Sequence, residues 1–83
     1  MQNYIFKTTK SDDILKAESK FFYMFDDIVT SYQNNELNFK SIGTVVNYGR
    51  MIIKQIRLSS LEKIYEKKVR RISLVLDALI KLK

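Results

Sequence analysis

The chain has no cysteine, no histidine and no proline, and only two glycines in 83 residues. Each absence excludes something. Without cysteine there is no disulfide framework and no thiolate metal site, and nothing marks the redox compartment. Without histidine the commonest metal ligand is gone, and with it the usual neutral-pH general base and every nucleophile relay built on imidazole. Two isolated glycines, Gly43 and Gly49, cannot build a phosphate-cradling loop or a dinucleotide fingerprint, and no serine elbow occurs. The expectation is a non-enzyme with no metal and no cofactor.

Long apolar runs are missing too. No window reaches the roughly eighteen apolar residues that span a bilayer, because Asp77 and Lys81 interrupt the best candidate. The opening MQNYIFKTTK lacks the apolar stretch and small-residue cleavage site of a secretory signal, and Lys7 interrupts what apolar character it has. A soluble, cytoplasmic protein is expected.

What remains is 46% apolar and 29% charged, the balance of an ordered globular chain. Its length suits one domain, residues 1–83, above the size at which a core needs staples but small enough to gain from association. The scarcity of helix breakers points to an all-α fold.

Periodicity divides that fold into three helices. Ser11-Asp12-Asp13 reads as a helix start, with a capping hydroxyl and two acids against the helix dipole. From there Ile14, Ala17, Phe21, Met24, Phe25, Ile28, Val29 and Tyr32 recur at three- and four-residue steps, so the first helix is placed at 11–33. Gln33-Asn34-Asn35-Glu36 is a polar connection. A second helix, 40–57, carries Ile42, Val45, Val46, Ile52, Ile53 and Ile56 on one face, with Gly49 among them. That glycine either admits a neighbouring helix or marks a break. Ser59-Ser60-Leu61-Glu62 has capping-box spacing, which starts a third helix, 60–82, with Leu61, Tyr65, Val69, Ile72, Val75, Leu76 and Leu79 as its core stripe. The apolar Tyr4-Ile5-Phe6 belongs to an N-terminal arm, 1–10, expected to pack on the bundle.

Charge is distributed unevenly. Residues 1–39 hold four basic and six acidic side chains, net −2, whereas residues 40–83 hold eleven basic and three acidic, net +8. On a helical wheel Lys40, Asn47, Arg50, Lys54 and Arg57 fall together, opposite the isoleucine face. Lys63, Lys67, Arg70, Arg71 and Lys81 make a second stripe on the third helix, with Glu62, Glu66 and Asp77 on a separate edge. Arginine forks and lysine point charges in rows suit backbone phosphates, DNA or RNA. An acidic protein partner would use the same rows, and a merely solvated face would look alike.

A tight turn at Asn47-Tyr48-Gly49 would place Arg50, Lys54 and Arg57 on a groove-entering recognition helix. The hydrophobic period runs through Gly49 without a phase change, which favours one continuous helix instead. Tyr23, near Lys16 and Lys20 on the polar face of the first helix, has the chemistry to stack on a base; packing at the bundle rim is the expectation. Asp12-Asp13 and Asp26-Asp27 are adjacent pairs pointing about 100° apart and do not share an ion easily. Glu62 and Glu66 share a face, but their basic neighbours account for them as ion pairs.

The ending, EKKVRRISLVLDALIKLK, runs from cations into aliphatics. Its basic residues precede the apolar turns and do not lie opposite them, which is a poor match to an in-plane membrane helix. Leu61, Tyr65, Lys68, Ile72, Val75, Leu79 and Leu82 follow coiled-coil spacing, broken at Lys68. Leu74, Ala78 and Leu82 lie outside the core stripe and are expected to form an oligomer interface. The sequence therefore predicts a three-helix bundle-like unit completed by homodimerisation, binding nucleic acid or an acidic protein and no membrane.

Overall fold

The computed structural model describes the backbone of residues 11–82 and the side chains of residues 13–82. The expected N-terminal arm, residues 1–10, and the capping hydroxyl of Ser11 lie outside the described residues. Three helices follow in order: α1 (Ser11–Gln33), α2 (Phe39–Leu58) and α3 (Glu66–Leu82). There is no strand among the described residues, and α1 and α3 both pack against α2.

The core is mainly aliphatic, with the rings of Phe21 and Tyr65 set in it. Phe21, Ile42, Ile52, Ile56, Ile72 and Leu79 are fully buried, and no polar or charged residue is buried among those described. Phe21 meets Phe22 edge to face, with centroids 5.1 Å apart. α1 and α2 run in opposite directions: Lys20 lies over Tyr48, Phe21 reaches Gly49, and Met24, Asp27 and Ile28 share a concavity with Ser41, Thr44 and Val45.

α2 is continuous through Gly49, as the unbroken period requires. Gly49 is buried, and a β-carbon there would sit 2.7 Å from Phe21 Cε1 and 2.8 Å from Leu76 Cδ2. The glycine thus gives close approach, and it does so for both flanking helices at once. Gly43, six residues earlier, has nothing within 4 Å of the position its β-carbon would take.

Both connections are built alike. At the end of α1, Asn35 adopts a left-handed conformation (φ 57°), its N–H donates to the Tyr32 carbonyl, and the Glu36 N–H donates to that of Ser31. At the end of α2, Ser60 does the same (φ 58°), with its N–H on Arg57 and the Leu61 N–H on Ile56. These are two Schellman motifs, each satisfying carbonyls the helix leaves over. Asn38 then caps α2, its side chain accepting from the Lys40 N–H at 2.8 Å.

The second connection corrects the expected start of α3. Ser59 is the C-cap of α2, not the N-cap of a capping box, and Glu62 turns back towards Arg57 at 3.6 Å. One helical turn follows, closed by the Tyr65 N–H on the Leu61 carbonyl at 3.0 Å, and the continuous helix begins at Glu66 rather than near residue 60. Val29 and Tyr32 also depart from the core stripe expected for α1, at 36% and 56% exposed. The first turns of α2 already lie opposite Met24 and Ile28, so Tyr32 has no facing helix turn to pack on.

Among the described residues no helix is long and apolar enough to cross a membrane.

Candidate functional site

The cations of α2 are placed by its amphipathicity. Because Ile42, Val45, Ile52 and Ile56 turn inward, residues about half a turn away must face out, and Lys40, Arg50, Lys54 and Arg57 are all exposed. Steps of four and three bring Arg50, Lys54 and Arg57 onto one ridge about 10.5 Å long.

The structure joins these three cations in one open concavity of about 550 Å³. Among the described residues Ile53 and Leu58 share its lining with the cations, and no described acidic side chain contributes. Ile53 is mostly buried and gives the concavity an aliphatic floor, while Leu58, 68% exposed, stands beside the cations. Lys40 stands ten residues before Arg50, about 15 Å along the helix, and is not part of it.

The cations of α3 and of the turn before it stand differently. Lys63, Lys67, Arg70 and Arg71 are exposed, but Arg70 lies 3.5 Å from Glu66, and Lys63 lines a second concavity with Glu62, Glu66 and Val69. The clean sorting of charge by sign expected from the wheel is therefore lost here: acids and bases alternate within single turns. No α3 cation lines the α2 concavity. Glu62 also faces Arg57, but that contact is long and both side chains are 62% exposed, so it neutralises Arg57 only weakly.

Lys68 explains the break in the coiled-coil spacing. Its Nζ lies 2.8 Å from Glu18 Oε1 on α1, an ion pair joining the outer helices. Leu82, expected in an oligomer interface, is partly buried and packs on this chain's own core, whereas Leu74 (64% exposed) and Ala78 face solvent.

Tyr23 is 76% exposed and does not pack at the bundle rim as expected. The cation beside it, Lys20, instead leans over the ring of Tyr48, 5.4 Å from its centroid. Burial raises the Tyr48 phenol above its ordinary value, because the charged form loses solvent there.

Leu58 is the participant that charge patterning overlooks. It falls one turn after Lys54 on the polar arc of α2, and an apolar residue among cations is the signal that marks it. The chain matches no known family model, no curated protein and no solved structure.

Proposed function

We propose that this chain is a nucleic-acid-binding module that docks on backbone phosphates through α2. One observation carries the reading: Arg50, Lys54 and Arg57 share a concavity whose described lining contains no acidic side chain. Guanidinium forks and an ammonium held on one rigid ridge match a row of phosphates, and the affinity of such contacts comes from counterion release. Lys40, Lys63, Lys67, Arg70 and Arg71 supply a positive field around that ridge, which speeds encounter without being part of the docked contact. The module works by binding, with no catalytic step and no cofactor, in the cytoplasm.

A second copy docked on the exposed Leu74 and Ala78 face would double the cationic surface, which is how a homodimer enters this reading. Mass measured against concentration tests it, with Leu74→Glu expected to give monomer throughout.

The test of the function itself is fluorescence anisotropy of labelled oligonucleotides across a salt series. Binding that weakens as salt rises and is lost in the Arg50→Glu, Lys54→Glu, Arg57→Glu triple variant supports the reading. No binding at low salt, where phosphate contacts are strongest, removes it.

The aliphatic pair Ile53 and Leu58 favours a second reading, in which an acidic amphipathic segment of another protein lays apolar side chains between the three cations. Phosphates do not need that pair. Leu58→Ser separates the two, leaving nucleic-acid binding intact but weakening a protein partner.

A further inference from the structure

The proposed phosphate site lets the form of the nucleic acid be named, an inference that rests on that reading. Two features decide it. The first is the fixed spacing of the cations. Arg50, Lys54 and Arg57 belong to a continuous helix anchored by Ile52, Ile53 and Ile56 beneath them, so their backbone positions are set before any ligand arrives. A preset row gains most from a partner whose charges are also preset. Duplex nucleic acid presents its phosphates at regular, preset positions, so each of the three cations can be matched to one of them. A single strand would have to be ordered on binding, at a cost in entropy.

The second feature is the lining. Single-strand sites offset that ordering cost by stacking bases on aromatic rings between the cations. Here the described side chains that flank the cations are Ile53 and Leu58, both aliphatic. Among the described residues the exposed aromatic rings are elsewhere: Tyr23 and Tyr32 on α1, and Phe39 at the first residue of α2, about 16 Å along the helix from Arg50.

We infer that the α2 concavity is a duplex site, gripping about three phosphates without reading the base sequence. An uninterrupted α2, packed on both flanking helices, presents its cations as a lateral row and not as a free helix end entering a groove.

The experiment is anisotropy with the full chain and three probes: a mixed-sequence duplex of about twelve base pairs, its separated strands, and a duplex of shuffled sequence. The expected result is duplex binding at least about fivefold tighter than either strand, with a log–log salt slope of about −2.7, the value for three neutralised phosphates. The shuffled duplex should bind within about twofold of the first, because phosphate contacts carry no sequence information. Lys54→Ala should shallow the slope by about 0.9 while circular dichroism stays unchanged.

Single strands binding within that fivefold margin would overturn the duplex assignment and leave phosphate docking standing. A shuffled duplex that binds much more weakly would overturn the sequence-independent part. A slope steeper than about −4.5 would overturn the three-phosphate footprint and bring the α3 cations into contact. Absence of binding to all three probes at low salt would remove the proposed function and this inference together.

Discussion

Lys68 on α3 and Glu18 on α1 meet at 2.8 Å, with their side chains 29% and 12% exposed, across 50 residues of sequence. Lys68 stands where the four-three spacing of α3 calls for an apolar residue, and a lysine there is costly unless it finds an anion. Its partner makes the position tolerable, and the pair ties together two helices that otherwise meet mainly through α2.

Removing one member should therefore hurt more than removing both. Lys68→Met keeps the aliphatic stem but leaves Glu18 shielded from water without its cation, at an expected cost of about 2 kcal/mol. The double variant Lys68→Met, Glu18→Leu should return to within about 1 kcal/mol of the parent, since well-packed apolar residues replace such pairs readily. Urea unfolding midpoints at unchanged m-value measure both.

The two glycines of α2 should respond in opposite directions to the same change. Gly43→Ala meets open space and gains helix propensity, so it should stabilise by about 0.5–1 kcal/mol. Gly49→Ala gains the same propensity but drives its methyl group into Phe21 and Leu76, whose shift should cost about 1–3 kcal/mol. The net effect at Gly49 should be destabilising, read as a lower melting temperature beside a raised one for Gly43→Ala.

Ser60 carries a β-carbon in the left-handed region, which costs about 1–2 kcal/mol relative to the right-handed one. Ser60→Gly should recover about 0.5–1 kcal/mol after the added freedom of the unfolded chain is subtracted. Asn35→Gly should recover less, because asparagine already tolerates this conformation. Thermal unfolding of the two variants side by side gives the order.

Among the described residues Glu62 faces the one arginine that lines the α2 concavity and also has an acidic neighbour, whereas Glu66 faces Arg70 outside it. Glu62→Gln should tighten duplex binding about twofold, the scale of an exposed ion pair near 0.4 kcal/mol. Glu66→Gln should change it less. Neither should move the unfolding midpoint noticeably, and the two anisotropy titrations are the check.

How far the fold was legible follows from which signals are local. α1 and α2 could be placed because their apolar residues repeat over several turns, and the continuity of α2 could be read from the phase of Ile42 through Ile56. The start of α3 was misplaced because Ser59 and Glu62 have the spacing of a helix start, while the left-handed Ser60 that ends α2 has no marker such as glycine. The anomaly at Lys68 was visible as a broken seam, but its partner was not, since nothing local points from Lys68 to Glu18. In the candidate site the cations were legible as a stripe. Their separation into a group on α2 that meets one acid, Glu62, at its end and a second group with acids interleaved depends on how Glu62 and Glu66 lie after folding, and a wheel drawn for each helix alone does not contain it.

The serial packing of α1 on α2 and α2 on α3 also orders events in time. Each hairpin closes over a short connection, so either can form early and fast, as in other helical folds dominated by local contacts. The bond between Lys68 and Glu18 must wait until both hairpins exist, because only then are residues so distant in sequence held side by side. An interaction absent from the folding transition state does little for the rate of folding, and acts instead as a brake on unfolding.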